Sequence, residues 1–193
     1  GFLNPGLFAG LVLITCIQLL KNPPKIAGIA ASVFCLVYVC WLGGHIVMLR
    51  QVPTYGPGLM IMLFAVIWTS DTGAYLIGVG FGKHRLCPRI SPKKTIEGAV
   101  AGVVCGTIAM AVTKEVQLRG APILPPLSYP EYLMLGVVMS IVGQAGDLLE
   151  SSLKRDVGIK DAGSLFPGHG GFLDRCDALI FAAPVLYYYV KLA

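Results

Sequence analysis

Residues 26–49 read Ile-Ala-Gly-Ile-Ala-Ala-Ser-Val-Phe-Cys-Leu-Val-Tyr-Val-Cys-Trp-Leu-Gly-Gly-His-Ile-Val-Met-Leu, a run with no Asp, Glu, Lys or Arg. A helix needs about 20 mainly apolar residues to cross a hydrocarbon core. Lipid offers backbone groups no partners, so a run of this kind satisfies its own hydrogen bonds as a helix. The apolar residues are continuous rather than alternating, which argues against strands of a spanning β-barrel. Residues 51–70 are also free of acidic and basic side chains and reach spanning length outright. The charge-free stretches 1–20, 98–113, 132–146 and 178–190 reach it when their polar ends extend to the interface.

The whole chain agrees with this start. Of its 193 residues, 55% are apolar and only 13% are charged, against roughly 25% charged in soluble domains. Its mean hydropathy is +0.75. These values exclude an ordinary water-soluble domain, a disordered segment and a coiled coil. The expected fold is all-α: a polytopic membrane bundle of about six transmembrane helices, at 5–20, 26–49, 58–81, 95–113, 131–155 and 174–192. Asn22-Pro23-Pro24 stops the first helix by removing two backbone donors. Residues 114–130, with four prolines, read as an irregular connector. The chain is read as a single membrane-embedded domain over 1–193. It begins with Gly, and no basic segment or Ala-x-Ala site marks a cleaved leader. A longer natural protein with further N-terminal helices is therefore expected.

Six cysteines are present without a Cys-x-x-Cys pair, four of them within apolar runs. They read as small buried hydrophobes rather than as disulfides or zinc ligands.

Charge is scarce and also clustered. Residues 83–97 and 147–177 hold 16 of the 25 charged side chains. Connectors 21–25, 82–94 and 154–175 carry eleven of the 15 basic residues. They fall on one side of the expected bundle, which should be cytoplasmic. A formal charge of +5 then points to headgroups and phosphates rather than nucleic acid.

The clustered residues have the spacing of a site. Asp147, Glu150, Ser151 and Lys154 recur at i, i+3, i+4 and i+7, one face of a helix. A carboxylate one turn from a serine and two from a lysine can hold a cation and a phosphate together. A solvated helix end is the plain alternative, but Asp147 closes a long apolar run, where carboxylates are usually functional. Asp174 and Asp177 stand one turn apart at a helix start, where negative charge is favoured. With Asp147 they could bind a hard cation such as Mg²⁺. Gly168, Gly170 and Gly171 around His169 would let backbone amides approach an anion. Asp71 falls within an apolar run. Lys93 and Lys94 follow Ser91-Pro92, an exposed turn feeding the fourth helix, and could neutralise phosphate or simply attract lipid. No Gly-x-x-x-x-Gly-Lys-Ser/Thr loop occurs.

Residues 151–177 closely resemble the signature of the phosphatidate cytidylyltransferases, or CDP-diacylglycerol synthases. The matching positions are Ser151, Leu153-Lys154-Arg155, Lys160-Asp161, Gly163, Phe166-Pro167, His169-Gly170-Gly171-Phe172, Asp174-Arg175 and Asp177. Cys176 departs from the larger aliphatic residue usual there. Asp71-x-x-Ala74-Tyr75, Phe81-Gly82-Lys83, Ser91-Pro92-Lys93-Lys94-Thr95-x-Glu97-Gly98 and Gly146-Asp147-Leu148-x-Glu150-Ser151 extend the likeness over 64–192. The resemblance implies a multi-pass membrane enzyme, often dimeric, that joins CTP and phosphatidic acid into CDP-diacylglycerol and pyrophosphate. It implies Asp147 and Asp174 as Mg²⁺ ligands, with Glu150 and Asp177 as further ones, and allows a second, monovalent cation such as K⁺. Lys154, Arg155, Lys160, Arg175, Lys93 and Lys94 would hold phosphates, with Asp71 and Ser151 beside them. Asp161 or His169 could assist as a base. The expected setting is a bacterial cell membrane, with the site facing the cytoplasm.

A transporter with Asp71 and Asp147 along its path is the rival reading, but it leaves the His-Gly-Gly loop and the one-sided basic clusters unexplained. Another CTP-dependent membrane enzyme, a polyprenol kinase or a CDP-alcohol phosphotransferase, is a nearer rival. The latter is disfavoured because its Asp-Gly-x-x-Ala-Arg run is missing.

Overall fold

The computed structural model describes residues 3–20, 26–159, 163 and 171–192. Six helices follow one another: α1 (Leu3–Leu19), α2 (Ile26–Arg50), α3 (Gly56–Phe81), α4 (Ile96–Leu118), α5 (Tyr129–Asp156) and α6 (Leu173–Leu192). Each lies where an apolar run anticipated it. Helices α2 to α5 are long and apolar enough to cross a membrane. The α1 helix is shorter, and α6 carries Asp174, Arg175, Asp177 and Lys191. Among the described residues four helices thus have the length and composition of membrane spans, within an all-α, membrane-like architecture.

The local signals that bound these helices are ordinary ones. The α3 helix starts with Pro57 in its first turn, where a missing N–H costs nothing. Thr95 caps α4 by accepting from Gly98 N at 3.2 Å. At the start of α5, Glu131 Oε2 accepts from Ser128 N at 2.5 Å. Helix α4 runs five residues past its expected end at 113. Lys114, the first charge beyond that run, stays within the helix, where its ammonium donates to Leu127 O at 2.6 Å and Gln117 Oε1 at 2.8 Å. A charge satisfied in this way does not force the helix to stop.

A two-stranded hairpin interrupts the helical pattern between α3 and α4. Strand β1 (Arg85–Cys87) pairs antiparallel with β2 (Ser91–Thr95), Arg85 opposite Thr95 and Cys87 opposite Ser91. The sequence suggested only an exposed turn here. Pro92, Lys93 and Lys94 offer no alternation that would reveal a strand.

In the bundle, α4 lies between α3 and α5, and α6 packs on α5 and on the last turns of α2. Leu59, Met62, Leu63, Val66, Met110, Tyr132, Leu135, Met139, Ala182 and Leu186 form one buried core. Small residues let the backbones approach closely, as is usual between membrane helices. A Cβ on Gly146 would stand 2.8 Å from Asp177 O and 2.9 Å from Phe181 Cβ. That tight crossing brings the face of α5 that carries Glu150 against the start of α6. On the outside of α4, Val100, Val104, Ile108, Val112 and Val116 form an exposed apolar stripe at intervals of four, the face expected to meet lipid.

Candidate functional site

Most of the charged side chains singled out above converge at the hairpin end of the bundle, in two adjoining groups on α5. The first contains Asp147 and Lys94. Lys94 Nζ lies 2.5 Å from Asp147 Oδ2, and Ser151 Oγ stands 3.5 Å from Asp147 Oδ1, too far for a firm hydrogen bond. Asp71, from α3, lies within electrostatic reach of both Asp147 and Lys94. These residues border a cavity of about 310 Å³ formed by α3, the hairpin, α4 and α5. Gln144 helps to close it and is anchored by donating to Ala99 O at 3.1 Å.

The second group lies one turn further along α5. Lys154 Nζ sits 2.5 Å from Glu150 Oε2 and 2.6 Å from Asp174 Oδ1. Gly171 N donates to Asp174 Oδ2 at 2.6 Å. One ammonium thus ties α5 to the N-terminus of α6 across twenty positions of sequence. The Glu150 side chain is only 2% exposed. Its contact with Lys154 is an ion pair without hydrogen-bond alignment, and its Oε1 is buried with no partner among the described residues. Burying a carboxylate this way is costly unless something compensates it.

Asp177 stands between the groups. It is buried, its Oδ1 accepts from Ala178 N at 2.8 Å, and it feels the charges of Asp147, Glu150 and Asp71. Arg155 points elsewhere: its Nε is 3.4 Å from Ile90 O in the hairpin turn. Arg175 is exposed at the start of α6. Lys93 is exposed at the cavity rim, and among the described residues its ammonium has no ion pair. Lys160, Asp161 and His169 lie outside the described residues.

Tyr38 of α2 was not anticipated as part of this region. It is 3% exposed, and its hydroxyl has no partner among the described residues. It lies within electrostatic reach of Asp177, Glu150 and Asp147. Phe34 stacks on its ring at 5.6 Å and Phe181 tilts against it at 5.8 Å. A π-helical stretch over Leu36–Leu42 presents it; such stretches often occur at functional sites. Nothing in an apolar run distinguishes such a tyrosine from a packing residue.

The hairpin itself is firmly held. Glu97, in the first turn of α4, accepts from Lys83 N and His84 N, each at 3.2 Å, and its Oε1 lies 2.6 Å from His84 Nδ1. This fixes the base of the hairpin whose far strand carries Lys93 and Lys94.

The candidate cation ligands are all carboxylates, hard oxygen donors suited to Mg²⁺ rather than zinc. The partnerless Glu150 Oε1 is the kind of buried atom that a cation would satisfy. Among the described residues, however, no three His, Cys, Asp or Glu side chains already stand together as a metal cage. Lysines hold them instead, Lys94 pairing with Asp147 and Lys154 with both Glu150 and Asp174. The donor chemistry fits Mg²⁺, with Asp147, Glu150 and Asp174 at present paired with ammonium groups.

Comparison with known proteins adds a second line of observation. The profile of the cytidylyltransferase family matches residues 3–193. A phosphatidate cytidylyltransferase of Bacillus subtilis (strain 168) is 37% identical over 186 residues, covering 96% of this chain and 67% of that protein. An uncharacterized protein of Escherichia coli (strain K12), YnbB, is 35% identical over 193 residues, covering 95% of this chain and 61% of that one. A phosphatidate cytidylyltransferase of Staphylococcus aureus (strain COL) is 39% identical over 160 residues, 80% of this chain and 57% of that protein. The chain thus spans 57–67% of the length of these relatives.

Proposed function

This chain belongs to the cytidylyltransferase family, and from that premise we propose that it transfers CMP from CTP to phosphatidic acid, giving CDP-diacylglycerol and pyrophosphate. The observation that carries the proposal is the Lys154 bridge from Glu150 on α5 to Asp174 on α6, with Asp147 and Lys94 one turn away. It gathers both signs of charge at one end of an apolar bundle, as a reaction between a membrane phosphate and a nucleotide requires.

In this reaction an oxygen of the phosphatidate phosphate attacks the α-phosphorus of CTP. A new P–O bond forms, the bond between the α- and β-phosphates breaks, and pyrophosphate leaves with its electron pair. A phosphate monoester has a second pKa of about 6, so the attacking oxygen is largely deprotonated at neutral pH and no strong base is essential. Asp161 or His169 could still assist. The main tasks are holding the reactants in line and neutralising their charge. Lys154, Lys94 and Lys93 would meet phosphate oxygens, and Arg155, Lys160 and Arg175 would extend this set. Ser151 and Asp71 lie beside it. Asp147 and Asp174, with Glu150 and Asp177, would hold Mg²⁺, together with a second, monovalent cation such as K⁺, and the bound charge would stabilise the attacking and leaving oxygens.

The eleven basic residues on the hairpin side, against four opposite, favour a cytoplasmic site in a bacterial cell membrane. The direct test supplies purified full-length protein with CTP, Mg²⁺ and phosphatidic acid and follows CDP-diacylglycerol and pyrophosphate. Asp174→Asn should abolish both products while the protein still inserts and purifies normally. Near-wild-type turnover by that variant would remove Asp174 from the reaction.

A further inference from the structure

The cavity of about 310 Å³ beside Asp147 is lined by apolar residues and by a few polar side chains. Lys93 and Lys94 come from the hairpin, and Asp71, Asp147 and Gln144 from α3 and α5. Tyr75 and Val79 follow Asp71 at successive turns along the same face of the spanning helix α3 and border the cavity. Their exposures are 69% and 72%, so this border opens towards the surroundings of the bundle rather than into its core. At this position on a spanning helix those surroundings are the lipid near the membrane surface.

We propose that this cavity is the seat of the lipid substrate's phosphate monoester, and that the nucleotide phosphates belong to the separate Lys154 group. The inference rests on the cytidylyltransferase reading and divides its site into two subsites. Three features carry it. A phosphate monoester bears a charge of about −1.5 to −2 near neutral pH; Lys93 offers it one ammonium, and Lys94, which pairs with Asp147 in the empty cavity, offers a second by exchanging that partner for the phosphate. Lys93 has no ion pair among the described residues, so its ammonium is ready for an incoming anion. The apolar border gives the acyl chains a way to remain in lipid while the phosphate enters. The volume is near the lower end of the roughly 300–1,000 Å³ usual for ligand sites. It therefore suits a headgroup whose tails stay outside. Asp147 lines this cavity and also stands next to Ser151, at the edge of the Lys154 group. A phosphate seated here would rest beside the place where the nucleotide is held.

The test uses the full-length protein in nanodiscs of phosphatidylcholine with graded phosphatidic acid. Lys93→Ala is the main variant, since it removes a charge that pairs with no described residue. Losing a charge-assisted hydrogen bond should raise the apparent KM for phosphatidic acid about ten-fold or more, with the KM for CTP within about two-fold of wild type. Lys154→Ala should show the reverse pattern. A rise in the KM for CTP alone with Lys93→Ala, or no change in either constant, would overturn the proposal.

A second arm needs no turnover. Phosphatidic acid with a photoreactive group near the start of an acyl chain should label residues 71–79. Unlabelled phosphatidic acid should compete, whereas CTP and inorganic phosphate should not. Labelling displaced by CTP, or absent from 71–79, would refute the seat. If wild-type protein makes no CDP-diacylglycerol, the activity reading fails, and the labelling arm still decides whether the cavity takes a phosphomonoester lipid.

Discussion

At the scale of single residues, the strongest constraint is the Lys154 bridge. Glu150 is buried and Asp174 lies on another helix, so removing the ammonium leaves two carboxylates without their shared partner. Breaking a buried pair on one side typically costs about 3–5 kcal/mol. Lys154→Ala should therefore lower the thermal midpoint in detergent, and Lys154→Met combined with Glu150→Gln should recover most of that loss without restoring the wild-type KM for CTP. An unchanged midpoint in the single variant would mean that the bridge carries no structural weight. Tyr38 makes the opposite case. Its hydroxyl is buried without a described partner, and leaving such a group unsatisfied costs about 1–3 kcal/mol. Tyr38→Phe should unfold no more easily than wild type; a fall in its midpoint would show that the hydroxyl is already bonded. The polar residues of α5 were legible from their spacing alone, because Asp147, Glu150, Ser151 and Lys154 repeat with the turn of a helix. Tyr38 was not, because its partners come together only when α2 packs against α6.

At the scale of elements, the helices were easier to read than the hairpin, for a physical reason. The solvent for α2 to α5 is hydrocarbon, and it imposes one composition along the whole length of a segment. The hairpin is held by particular bonds at its base instead. Glu97 accepts from two backbone amides there, and Ile96 N donates to His84 O at 2.9 Å. Glu97→Ala should release that base. Hydrogen exchange of the 83–95 amides should rise about ten-fold or more, as expected for losing charge-assisted bonds, while the middle of α4 stays protected. Equal protection in the variant would assign the hairpin's order to its strand pairing alone. The α5–α6 crossing is constrained by volume. Gly146→Ala places a methyl against Asp177 O and Phe181, and overpacking of this kind costs about 1–3 kcal/mol. The variant should lose stability and a larger share of its activity, because the strain falls next to Asp147 and Asp177. Full activity with reduced stability would separate that crossing from the chemistry.

At the scale of the whole molecule, charge and apolar surface occupy different places. The core and the α4 stripe form the body of the bundle, and the ionised groups collect mainly at its hairpin end. Composition alone indicated this separation. It could not reveal that the cationic and anionic members would interleave, since Lys94 meets Asp147 across 53 positions. The interleaving makes the acidic cluster its own salt. Ammonium groups stand as placeholders at Asp147 and between Glu150 and Asp174, where carboxylates would otherwise repel one another, so folding in the bilayer should not wait for a dissolved cation. Metal dependence should accordingly belong to turnover and not to integrity. A chelator should stop product formation while leaving the thermal midpoint nearly unchanged, and added Mg²⁺ should restore the full rate. Irreversible aggregation on chelation would mean that the placeholders do not suffice. A protein arranged in this way can be assembled empty and put to work afterwards.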